Sequence, residues 1–159
     1  MRAAGLAFVL LSLALSALAV DPGKAEGSLT VNATRIDLAY AYAIGHQKNE
    51  ITKRSDERKV VLTDKPLPDS VKINDLDLNF PEGVLGLIVS ITNDNKVSQV
   101  IVQHPTGTYD SGYIDEVREY RFKPKNGDDA TISGNVSSRH VQTNTMTFAF
   151  DVEFAAAVK

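Results

Sequence analysis

The chain has 159 residues, 23% charged and 43% hydrophobic, with 17 Lys+Arg set against 20 Asp+Glu. That balance describes one ordinary globular domain and excludes disordered, collagenous and coiled-coil chains. A net charge of −3 argues against nucleic-acid binding, which needs a basic face against phosphates. Zero cysteines remove disulfides, thiol nucleophiles, Cys-ligated zinc and a lipid-modified cysteine.

Met1-Arg2 supplies one positive charge, Ala3 to Leu15 is apolar, and Ala17-Leu18-Ala19 places small residues at −3 and −1 of a cleavage site. This is the three-part pattern of a secretory signal peptide, and the run is shorter than the roughly 20 apolar residues that span a bilayer. Residues 1–19 are expected to be removed, leaving a chain that starts at Val20, secreted or periplasmic and not inserted in a membrane. Residues 20–26 read as a flexible mature N-terminus and residues 27–159 as one β-sandwich domain. Asn32-Ala33-Thr34 and Asn135-Val136-Ser137 match the N-glycosylation pattern, which matters only in a host that glycosylates.

The period after residue 27 is mostly two. Ser28-Leu29-Thr30-Val31 alternates into a short turn at Asn32-Ala33-Thr34. Ile36, Leu38, Tyr40, Tyr42 and Ile44 then fall on alternate positions, predicting a strand with a large apolar face and an alanine face. Gly45 to Lys59 reads as a polar connection, basic from Lys48 to Lys59, and Lys59 to Thr63 as a short buried strand that Pro66 and Pro68 stop. Ser70 to Phe80 reads as irregular with a helical turn. Gly86–Thr92 and Val97–Gln103 form a hairpin around Asn93-Asp94-Asn95-Lys96. Thr106 to Tyr113 reads as a loop and Val117 to Lys123 as a strand. Asn126-Gly127 is the strongest two-residue hairpin signal in the chain, and Pro124 before it marks an edge strand. Ala130–Ser137 returns, and Met146 to Val158 closes the chain with Phe148, Phe150 and Phe154 on one inward face, with Ile36, Leu38, Tyr40, Leu87 and Val89 as neighbours. About eight strands with short turns and no long helix predict an all-β antiparallel sandwich, with a partly closed barrel as the alternative.

The Gly-Ser-Leu-Thr-Val opening, Leu38-Ala39-Tyr40-Ala41-Tyr42-Ala43, the Val60 to Pro68 segment, a Gly134-containing strand and the closing Phe148 to Phe154 resemble a loose group of uncharacterised exported bacterial β-domains. The likeness covers most of residues 27–158. It implies a secreted, mostly β domain and carries over no catalytic residue.

Chemistry-bearing residues are sparse. His46, His104 and His140 lack the close spacing of a ligand pair and read as unrelated surface histidines. No Gly-x-Ser-x-Gly or Ser-x-x-Lys occurs; Ser111-Gly112 with His104 nearby is the nearest approach to a serine nucleophile. Asp115, Glu116 and Glu119, and Asp75, Asp77 and Glu82, could supply a carboxylate pair, but charges beside Arg118 and Arg121 read as a solvated face. Asn93-Asp94-Asn95 lacks the Gly and distal Glu of a calcium loop. What remains is a binding surface: Tyr109, Tyr113 and Tyr120, in or beside a Gly-containing neutral segment, offer amphipathic contact area, unless they cap the core. The reading is an exported, non-catalytic module that binds a protein or glycan, with no metal or cofactor. The alternative is a small hydrolase, which a pocket gathering a histidine with two carboxylates would reveal.

Overall fold

The computed structural model describes residues 20–47, 57–73, 80–112, 119–125 and 130–158. It is all-β. In chain order the strands are β1 (Lys24–Val31), β2 (Thr34–Gln47), β3 (Glu57–Thr63), β4 (Gly86–Ile91), β5 (Val97–His104), β6 (Gly107–Asp110), β7 (Tyr120–Pro124), β8 (Thr131–Ser138), β9 (Val141–Gln142) and β10 (Thr147–Ala157). The signal-peptide segment 1–19, most of the basic 48–59 loop and the Asn126-Gly127 turn lie outside the described residues. β1 begins at Lys24, so the sheet takes in three residues expected in the flexible N-terminus; β2 likewise runs through Gln47 and β3 starts at Glu57, so both ends of the connection expected from Gly45 to Lys59 are strand.

One antiparallel sheet runs in the order β6-β5-β4-β3-β2-β1-β10-β8-β7, with β9 pairing β10 off this path. It curls into a half-barrel, so that the two facing layers expected of a sandwich are halves of one continuous sheet. The N-terminal β1 sits between β2 and the C-terminal β10, each in register along most of its length. The concave side holds Leu29, Val31, Leu38, Val60, Leu62, Leu87, Val89, Val100, Phe148, Phe150, Val152 and Phe154 in one continuous core. Phe148, Phe150 and Phe154 thus face inward as their alternation requires, with Ile36, Leu38, Leu87 and Val89 in the same cluster.

Tyr40 does not join them. β2 changes face between Leu38 and Ala41: Ile36 and Leu38 point inward, then Ala41 and Ala43 do, while Tyr40 and Tyr42 are half-buried on the convex side. The change coincides with a bulge, where β1 takes three steps from Gly27 to Lys24 against two from Leu38 to Tyr40. Small residues on the concave side suit the tight interior of a narrow barrel. The displaced tyrosines find other partners: Lys24 places its ammonium 4.6 Å from the Tyr40 ring centre, and the Tyr42 hydroxyl accepts the Leu67 N–H at 2.9 Å.

The latter bond pins the long β3–β4 connection against the convex face. There Phe80 and Val84 bury themselves on Val61, Ile88 and Ile101, with Leu67, Val71 and Ile73 at the margin. β4 is consequently buried along its whole length, which explains why its sequence reads as a continuous apolar run. Residues 74–79, in the segment expected to hold a helical turn, lie outside the described residues.

The β1–β2 turn places Asn32 at φ 47° and Ala33 at φ 68°. Positive φ at both central positions is the hairpin turn that favours Asn-Gly, and an alanine there is strained by about 1 kcal/mol or more. Ala33→Gly is expected to raise stability by about 0.5 kcal/mol, part of the relieved strain being offset by glycine's greater unfolded entropy. A thermal melt that moves down instead would show that the turn type is otherwise.

Candidate functional site

The two end strands of the sheet, β6 and β7, are consecutive in the chain; they share no ladder, but Tyr109 of one and Tyr120 of the other pack on the same Phe148 ring. β5 reaches its end at His104, where Pro105 and Thr106 turn the chain back into β6. The buried His104 Nδ1 accepts the Thr106 N–H at 3.2 Å and lies 2.7 Å from the Thr106 hydroxyl. Within the segment expected to be a loop, Gly107–Asp110 is therefore a strand, paired from His104↔Gly107 to Ile101↔Asp110. Its end is also held: Ser111 N–H donates to Val100 O at 3.0 Å, the Val100 N–H donates to Ser111 Oγ at 2.9 Å, and Asp110 Oδ1 accepts from Gln99 Nε2 and Gly112 N–H at 2.8 Å each. Gly112 takes φ 66°, which lets the chain leave the sheet.

Alternation places Tyr109 on the concave side of β6, opposite Val102. Its ring packs on Phe148 of β10, centroids 5.0 Å apart, and it lies close enough to Tyr120 of β7 to disfavour ionisation of that phenol. Tyr120 is buried and stacks on Phe148 and Phe150 at 6.5 and 5.9 Å. Burial first, and then the proximity of Tyr109, pushes the Tyr120 phenol well above its ordinary range. Of the three candidate tyrosines, Tyr120 thus belongs to the core, Tyr109 is half-buried at the seam between the end strands, and Tyr113 lies outside the described residues. On the convex side of the same edge stand Thr108, whose hydroxyl donates to Gln103 Oε1 at 2.7 Å, and the Gln99–Asp110 pair. Sequence reasoning passed over Gln99, Gln103 and Asp110. The signal available was the alternation of polar Gln99 and Gln103 with Val100 and Val102 along β5.

The remaining chemistry candidates disperse. Gln47 pairs Glu57 at one end of the sheet, where β5 begins, and His104 ends β5; His46 and His104 are separated by the length of that strand. His140 is exposed between β8 and β9. Ser111 Oγ is occupied by the Val100 N–H and by donation to Gly112 O at 2.9 Å, and His104 by Thr106, so these two do not form a nucleophile–base pair. Asp75, Asp77, Asp115 and Glu116 lie outside the described residues, while Glu82 and Glu119 are exposed. Among the described residues no three His, Asp or Glu side chains gather in a way that could hold a metal ion. Asn93-Asp94-Asn95 is a hairpin turn, with Asn95 at φ 60° and Asp94 held below the ordinary carboxylate range by the Thr92 hydroxyl and by Lys96.

His104 gives the β5–β6 turn a pH dependence. Burial lowers its pKa from 6.5, so the folded protein binds fewer protons than the unfolded chain below that value. Its contribution is fully present above pH 6.5 and is lost as pH falls toward the depressed folded value. Stability measured by urea midpoint is expected to fall between pH 7.5 and 5, and to fall less in His104→Gln. Equal slopes in both proteins would assign the acid sensitivity to other groups.

Comparisons of the chain with models of known protein families, with curated proteins and with solved structures find no match.

Proposed function

We propose that the domain is an exported, non-catalytic binding module and that it takes its partner, a protein or a glycan, at the seam between β6 and β7. The observation that supports this is the state of Tyr109. Its ring is held on Phe148, yet it remains half-exposed on a short edge strand. A rigid aromatic anchor loses little conformational entropy on binding, and a sheet edge adds backbone donors and acceptors beside it. Thr108, Gln103 and Asp110 furnish polar contacts along the same edge.

Tyr109→Ala would also remove the contact with Phe148, so the informative substitutions are Tyr109→Phe and Thr108→Arg. Both keep the ring in place; the second fills the edge with a long charged side chain. Protein from Val20 onward is applied to a glycan array and to immobilised cell-envelope proteins. Thr108→Arg is expected to reduce the retained signal at least tenfold, about 1.4 kcal/mol, with an unchanged melting temperature. A full signal from a folded Thr108→Arg protein would place the surface elsewhere.

A further inference from the structure

The convex face of the strands beyond the seam is zoned by charge. In register across β7, β8 and β10, one row reads Arg121, Ser137, Asp151 and the next Lys123, Asn135, Glu153. Cations occupy the edge strand, neutral hydroxyl and amide groups the next, and carboxylates the third. Arg121 and Lys123 are both exposed and stand about 7 Å apart on one face of β7. The carboxylates are two strands in, about 10 Å away, and they have their own partners: Asp151 accepts from Asn135 Nδ2 at 2.7 Å, and Glu153 pairs with Lys125.

We propose that this strip docks an acidic polysaccharide, one whose sugar rings carry carboxylates at intervals. The proposal rests on the binding-module reading and names a ligand class for it. The argument is charge complementarity with a limit. A planar guanidinium recognises a carboxylate through two parallel hydrogen bonds, and the neighbouring ammonium adds a point charge. Ser137 and Asn135, half-buried beside the cations, are placed to exchange hydrogen bonds with sugar hydroxyls. The acidic third strand and the chain's net charge of −3 repel a densely charged polyanion such as nucleic acid, whose phosphates would need a wider basic face. A sparse carboxylate polymer seated over Arg121 and Lys123 meets the cations and lies two strands from Asp151 and Glu153.

The probes are polygalacturonate and uncharged dextran, titrated calorimetrically into protein from Val20 onward. The wild type is expected to bind polygalacturonate, more weakly as salt is added, and not dextran. Arg121→Gln with Lys123→Gln is expected to weaken binding at least tenfold and flatten the salt dependence, with the melting temperature retained. Cations on an edge strand also guard against pairing between molecules. If the double variant self-associates while binding the polymer as before, guarding is their role and the proposal is overturned. Equal binding of dextran, or no binding of polygalacturonate by the wild type, overturns it as well. None of these results touches the seam, whose own test is Thr108→Arg on the array. A seam that fails that test while polygalacturonate binding depends on Arg121 and Lys123 would leave this strip as the binding surface.

Discussion

Phe148→Ala is expected to cost about 3–5 kcal/mol and to loosen the seam along with the core. Phe148 is 1% exposed. It stands where three separate elements meet: its own strand β10, Tyr109 on one end strand and Tyr120 on the other. Truncation removes the transfer energy of a buried ring and leaves a cavity whose walls belong to three strands, which limits how far the site can collapse. It also removes both ring contacts, each worth roughly 0.5–1.5 kcal/mol beyond area. The measurement is a urea midpoint with a double-mutant cycle against Tyr109→Ala. Coupling of about 1 kcal/mol between the two positions is expected. A cost below about 1 kcal/mol, or strict additivity with Tyr109→Ala, would mean that Phe148 does not join the end strands.

Gly27→Ala is expected to be at least as damaging, about 4 kcal/mol or more. Gly27 takes φ 149°, a conformation L side chains rarely adopt, directly opposite Val152. A Cβ there would collide with the Asp151 carbonyl oxygen and lie 2.6 Å from Val152 Cα. Both atoms are backbone of the neighbouring central strand, so neither can swing aside. Relief would require parting β1 from β10, the pairing that joins the two halves of the sheet. Gly23 is the control, because it also has positive φ, 83°, but a Cβ there meets nothing within 4 Å. Gly23→Ala should cost only about 1 kcal/mol. Similar losses at both positions, read by thermal melts, would show that backbone conformation and not the close approach sets the cost.

Much of the sheet was legible because period-two alternation is enforced by the strand itself. The closing β10 announced its buried face through Phe148, Phe150 and Phe154, and the β4–β5 hairpin through two β-branched arms around Asn93-Asp94-Asn95-Lys96. Alternation is a local rule, however, and it failed where a long-range constraint acted. In β2 the regular spacing of Ile36 to Ile44 implied a single face, but the inward face changes after Leu38, at the bulge where β1 carries one residue more than β2, and the tyrosines lie on the other side. Thr106 to Tyr113 read as a loop because two glycines and several hydroxyls have weak strand propensity; pairing with β5 imposed a strand on Gly107–Asp110 regardless.

What the sequence by itself determined is the class of the fold, antiparallel and all-β, since side-chain periodicity and turn residues depend only on neighbours along the chain. Only the tertiary structure decided where the aromatic residues stand. Tyr109 and Tyr120 are alike in sequence, both beside polar segments, yet one is half-exposed and the other buried against Phe148 and Phe150. That difference arises from the curl that carries Tyr109 and Tyr120 from opposite ends of the sheet onto Phe148, a long-range arrangement set by the twist of the whole sheet and by β1 pairing with β10, and no local pattern encodes it.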